Sequence, residues 1–180
     1  ITFWTSLILL PWTLKPLWSP FLELFRTKKF FVIVTQLITG ITFGLVAFAL
    51  NLSHFFSISI ALLAIVAFSG ATHDIACDGV YMSELSNEDQ ARFIGWQGAF
   101  YNIAKILATG GLVYLAGYFI ELNADAGLLT ANKRAWMIIL LILSVTMILL
   151  GIYHLFALPS TQSASSRKTL RSNKEVMKEL

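Results

Sequence analysis

Residues 30–50 read FFVIVTQLITGITFGLVAFAL, a run of 21 residues without one Asp, Glu, Lys, Arg or His. An α-helix needs roughly 20 mostly apolar residues to cross the hydrocarbon core of a bilayer. The run does not alternate apolar and polar side chains, as a strand of a membrane barrel would. It therefore predicts a transmembrane helix. A block at about 1–18 precedes it, closed by Pro20 and the basic cluster Arg26, Lys28 and Lys29. A block at about 57–82 follows the polar turn Asn51, Ser53 and His54, and contains His73, Asp74, Cys77 and Asp78. After the polar loop 84–90 comes a block at about 93–120. The last block, at about 135–158, is stopped by Pro159 and followed by a polar, basic tail.

Five such blocks joined by short loops predict an all-α integral membrane protein, multi-pass, with the lipid bilayer as its first partner. Composition agrees: 57% of the 180 residues are hydrophobic and 13% charged, against about half and a quarter in soluble domains. The net charge is +3. The basic residues lie in short clusters between apolar blocks, which points to membrane topology and not to nucleic acid. Cys77 is the single cysteine, so no disulfide forms within the chain.

Orientation follows from Lys and Arg in the loops. With five spans, the 26–29 loop, the 84–92 loop and the tail share a side and carry nine basic residues. The opposite side carries only Lys133 and Arg134. The tail is thus expected in the cytoplasm. Residues 166–180 place Leu170, Val176, Met177 and Leu180 among Lys and Glu, which fits either a short surface helix or a solvated loop. The chain begins in the middle of an apolar run without Met or a basic leader and ends in polar sequence, so both ends are expected to be cuts in a longer protein.

Four charges fall within the spans: Lys15, Asp74, Asp78 and Lys105. Such residues are costly in a bilayer and usually face a bundle interior or a water-filled path. Asp74 and Asp78 are four apart and share a helix face. Counted from Pro20 and Glu84, Lys15 and Asp78 both lie roughly 8–9 Å inside the cytoplasmic boundary, so those two are expected to pair. Lys105 lies about 20 Å in from Arg92, so it is expected near the deeper Asp74. Burial favours the protonated carboxyl and a nearby lysine the ionised one. A carboxylate passing between these settings couples helix movement to a proton. His73 titrates in the useful range but points about 100° away from Asp74.

A stripe of Gln97, Tyr101 and Lys105, with Asn102 beside it, suits a polyhydroxylated solute through stacking and hydrogen bonds. The same block carries Gly95, Gly98, Gly110, Gly111 and Gly117, which predict close helix packing. No phosphate-binding loop, Gly-x-Ser-x-Gly or His-Glu-xx-His is present. Gly70, Asp74 and Asp78 match only the second half of the metal motif of CDP-alcohol phosphotransferases; residues 57–69 supply no acidic partner. His73 with Cys77 and Asp74 with Asp78 form two pairs on adjacent faces. One zinc ion would also need ligands from a second helix, so no metal or cofactor is expected. A membrane-embedded metal-dependent enzyme built on the acidic pair stays as the rival reading, and a non-transporting receptor or scaffold as a third.

Two motifs carry a family resemblance. Residues 10–23, LPWTLKPLWSPFLE, resemble the second helix and following loop of AmpG-type permeases. Residues 71–79, ATHDIACDG, resemble the Ala-Thr-Gln-Asp-Ile-Ala-x-Asp signature of the same group, which includes acetyl-CoA transporters. Both belong to the major facilitator superfamily. The 26–29 loop, Arg-Thr-Lys-Lys, is similar to that superfamily's loop between helices two and three, keeping its basic cluster without its glycine or aspartate. His73 stands where Gln is common.

The resemblance implies that residues 1–158 are helices two to six of the N-terminal half of a twelve-helix carrier, with 159–180 opening the central cytoplasmic loop. It implies a proton symporter in the cell (inner) membrane, working by alternating access on a muropeptide or another sugar-containing solute, or on an acetyl-CoA-type substrate. Asp74, Asp78, Lys15 and Lys105 would handle the proton. Gln97, Tyr101, Asn102 and His73 would border the substrate path, and a second half of the same carrier would complete it.

Overall fold

The computed structural model describes residues 2–25 and 27–159. The tail and its expected surface helix lie outside the described residues. The described chain is helical throughout, without a strand. Its helices are α1 (Thr2–Phe25), α2 (Lys28–Ala49), α3 (Phe55–Glu84), α4 (Asn87–Ile106), α5 (Leu112–Leu122) and α6 (Leu128–Ala157). A π-helical turn, Leu107–Gly111, joins α4 to α5, so 87–122 is one rod. Four rods are long and apolar enough to cross a membrane: Lys28–Ala49, Phe55–Glu84, Asn87–Leu122 and Leu128–Ala157.

The first expected span differs. α1 is a 24-residue helix but is not among those four. Its Trp, Thr, Ser and Pro residues and Lys15 dilute its apolar content. Nor does Pro20 end it: Pro11, Pro16 and Pro20 all lie inside the helix, which runs on to Phe25. Each proline removes one backbone donor and leaves the carbonyl four residues earlier without it. Within the same helix the Thr13 hydroxyl donates to the Leu10 carbonyl at 2.9 Å.

α2 is the centre of the bundle, packed along α6 on one side and α3 on the other. α1 lies against α3, and α5 against α6. The α2–α6 seam is close because Gly40 and Gly44, one turn apart, face Ser144 and Ile148. A Cβ on Gly40 would stand 2.8 Å from Ile148 Cγ1 and 3.0 Å from the Ser144 carbonyl oxygen. Gly151 receives Leu37 in the same seam. Small residues at four-residue spacing let helix backbones approach where lipid offers no hydrophobic drive. The glycines expected to do this lie elsewhere: around Gly95, Gly98, Gly110 and Gly117 nothing comes within 4 Å of a built Cβ. Close packing depends on what stands opposite a glycine: no helix packs along α4, and Gly117 has nothing within 4 Å although α5 lies on α6.

Polar side chains fasten the α2–α3 seam. Thr39 donates to Ser69 Oγ at 3.0 Å, and the Ser69 hydroxyl donates to the Thr35 carbonyl at 2.9 Å. All three residues are buried, and such interhelical bonds contribute about 0.6 kcal/mol each. Capping sets the turns. Ser86 accepts from the Asp89 amide at 3.1 Å and opens α4. Gly127, at φ +82°, opens α6 in a conformation that L side chains rarely adopt. The 85–86 turn is held from both sides: Tyr81 donates its hydroxyl to the Gln90 carbonyl at 2.7 Å, and Gln90 Nε2 donates to the Leu85 carbonyl at 3.0 Å.

Candidate functional site

The site forms where α1 crosses α3. α1 presents Lys15, and α3 presents Asp74 and, one turn nearer Glu84, Asp78. Lys15 Nζ donates to Asp74 Oδ2 in an ion pair. The expected partner was Asp78. The difference comes from the helix ends: α1 ends at Phe25, ten residues beyond Lys15, and α3 ends at Glu84, ten beyond Asp74. At about 1.5 Å per residue both groups lie about 15 Å from that end of the bundle. Asp78 makes no ion pair of its own among the described residues, but it feels the charges of both Asp74 and Lys15.

The Lys15 and Asp74 side chains are 24% and 51% exposed, so the pair lies on an open seam and not in the α2 core. In a bilayer such a seam has to face water or other protein, because hydrocarbon solvates neither ion. Lys15→Met is expected to lower stability by leaving Asp74 uncompensated, and adding Asp74→Asn is expected to restore most of it. A double-mutant cycle by unfolding of the full-length protein in detergent should give a coupling of about 1–3 kcal/mol. A coupling near zero would show the pair to be incidental.

His73 is turned away from that seam, into the α2–α3 packing. The Thr35 hydroxyl donates to the Phe31 carbonyl at 2.7 Å, and its oxygen lies 3.0 Å from His73 Nδ1. The ring therefore donates from Nδ1 and presents Nε2 to the Cys77 thiol at 3.3 Å. This places His73 in the helix contact, apart from the face of Asp74. A second, partly buried histidine joins α6 to α2: His154 Nδ1 lies 2.9 Å from Gln36 Oε1. Thr35, Gln36, Thr39 and His154 were not singled out by sequence. The signal available was the polar set Thr35, Gln36, Thr39 and Thr42 at helical spacing inside the charge-free block.

Beside His154 lies a cavity of about 350 Å³ between α2, α3 and α6, bordered by Val32, Cys77, Tyr81, Glu84 and Leu158. Its walls are almost wholly apolar. Among the described residues, no group of three or more His, Cys, Asp or Glu side chains is placed to hold a metal ion.

Gln97, Tyr101, Asn102 and Lys105 all lie on α4, and the rod it belongs to is exposed on every side from 91 to 111. α4 does not pack along α3. The expected approach of Lys105 to Asp74 is therefore absent. The two helices meet only at their short turn, and α5 leans on α6 instead. Asn102 Nδ2 donates to the carbonyl of Gly98 on its own helix at 2.8 Å. The structure thus brings Lys15, Asp74 and Asp78 together and holds the α4 stripe apart from them. No family model, curated protein or solved structure matches the chain.

Proposed function

We propose that this chain is part of a secondary active transporter of the major facilitator superfamily, an AmpG-like permease. In this reading it carries a muropeptide or another sugar-containing solute together with a proton. The helices α1, α2, α3, α4–α5 and α6 correspond to helices two to six of the N-terminal half, in the cell (inner) membrane with the tail cytoplasmic. The remainder of the same carrier supplies the other wall of the path.

The observation that carries the reading is the Lys15–Asp74 ion pair across the open α1–α3 seam, with Asp78 one turn away and unpaired among the described residues. A proton arriving on Asp74 removes the charge that holds Lys15, and the seam is free to open. The proton's departure restores the pair. That exchange converts a proton gradient into movement of one helix against another, the requirement of alternating access. The motifs in LPWTLKPLWSPFLE and ATHDIACDG support the same assignment and lie on the two helices that form the seam.

Full-length protein in proteoliposomes is expected to accumulate anhydro-muropeptide when the outside is acidified, and to do so without ATP. Collapse of the gradient with a protonophore should stop accumulation. Uptake unaffected by the protonophore, or no uptake of muropeptide or acetyl-CoA under any gradient, would sink the proposal.

A further inference from the structure

The cavity between α2, α3 and α6 lies apart from the Lys15–Asp74 seam and from the α4 stripe. It holds about 350 Å³. Cys77 and Glu84 both line it, and they stand about 10 Å apart along α3. Its mean cross-section is therefore about 35 Å². A helix of 10 Å diameter needs about 80 Å², so no helix enters, whereas a single unbranched hydrocarbon chain does. Of the lining residues, Val32 is buried, and Glu84 and Pro159 are exposed. Glu84 ends α3 and Pro159 follows the end of α6. The cavity thus opens at the end of the bundle, at the level of lipid head groups.

The polar groups of the wall are already bonded within the protein: Cys77 with His73, Tyr81 with Gln90 and His154 with Gln36. A sugar or a cluster of water molecules finds few partners there, and an apolar cavity of this kind takes hydrocarbon. The rim differs. Lys29 Nζ donates to the carbonyl of Leu158, a wall residue, at 2.7 Å. An ammonium carries three donors, and the others meet no partner among the described residues. Glu84 stands at the last position of α3, where the negative end of the helix dipole disfavours a carboxylate. Among the described residues no ion pair compensates it. The mouth therefore offers one cation and one anion above an apolar shaft.

We infer that this cavity binds one phospholipid whose head group carries both a phosphate and a primary ammonium, a phosphatidylethanolamine. One acyl chain fills the shaft, the phosphate meets Lys29, and the ammonium donates to Glu84. Basic pockets between transmembrane helices hold lipid head groups, and the carboxylate at this rim selects among them. A choline head brings the charge without an N–H donor. A glycerol head brings a phosphate with nothing to offset Glu84. The inference rests on membrane placement alone and is independent of whether the chain transports.

Native mass spectrometry of the full-length protein, released from nanodiscs of equal phosphatidylethanolamine, phosphatidylglycerol and phosphatidylcholine, tests it. The parent should retain one phosphatidylethanolamine per chain, about fivefold over either competitor. Glu84→Gln should abolish the preference over phosphatidylglycerol. Val80→Trp places an indole in the cavity wall and should retain about tenfold less lipid. Equal retention of the three lipids by the parent, or undiminished retention by Val80→Trp, overturns the inference. A second measurement needs no variant. Phosphatidylethanolamine with a diazirine at the end of one acyl chain, photolysed with the parent, should label residues 77–81 or 154–158. Labels spread evenly along the helices show annular lipid alone and overturn the inference. A benzophenone side chain at position 80 should join lipid. If it joins another stretch of polypeptide, the occupant is protein and the inference fails.

Discussion

Asp74→Asn is expected to lower gradient-driven uptake by about a hundredfold, equivalent to about 2.7 kcal/mol of lost coupling. Asparagine is close in shape to a protonated aspartate, so the helix face is preserved while the charge is fixed at zero. Lys15 then has no carboxylate at its own level to return to, and the α1–α3 seam loses its response to protons. Exchange of labelled for unlabelled solute without a gradient needs no net proton movement and should persist. That split separates a coupling role from simple unfolding, which abolishes both activities. Asp78→Asn breaks no ion pair and is expected to cost less, about tenfold. Parent-like concentrative uptake by Asp74→Asn would remove Asp74 from the coupling mechanism.

Gly40→Leu is expected to be the most damaging structural change, costing about 3 kcal/mol. Any Cβ at this position meets Ile148 Cγ1 at 2.8 Å and the backbone of Ser144 and Ile148 at 3.0–3.2 Å. The side chain of Ile148 has some freedom to turn aside, but helix backbone does not. α2 and α6 must separate, and with them the His154–Gln36 bond that crosses the same seam. Unfolding of the full-length protein in detergent measures the loss. Gly117→Ala is the control: nothing lies within 4 Å of its Cβ position, so it should be neutral or slightly stabilising through helix propensity. Equal stability of Gly40→Leu and parent would contradict the close α2–α6 contact.

The helices were legible because a charge-free run such as 30–50 has one stable form in hydrocarbon. Their ends were less so. Pro20 and the basic cluster were expected to close α1, yet the helix passes through three prolines, because a proline inside a helix costs one donor and does not forbid the turn. That five-residue error moved the depth of Lys15 and reassigned its partner from Asp78 to Asp74. That Asp74 would be paired was readable from cost, because a charge in apolar sequence needs a partner. The Thr35–His73 and Gln36–His154 contacts were not readable. Threonine and glutamine carry no mark of which helix will supply their partner, and that depends on rotation about each helix axis. The glycines show the same limit. The richest cluster lies in the fourth block, but the close contact is made by Gly40, Gly44 and Gly151.

The rod 87–122 behaves mechanically as a beam clamped at both ends. One clamp is the Tyr81–Gln90 lock at the turn from α3, and the other is the α5 contact with α6. Its only soft joint among the described residues is the π turn Leu107–Gly111, where the hydrogen-bond register shifts and two adjacent glycines carry no side chains to stiffen it. A displacement of α3 therefore reaches α6 along this rod only as a bend at 107–111, next to Lys105. Over the roughly 30 Å from Asn87 to that joint, a tilt of about 10° displaces the clamped end by about 5 Å. Stiffening the joint, without touching a single charge, would make the rod move as one piece and tie its two clamped ends rigidly together.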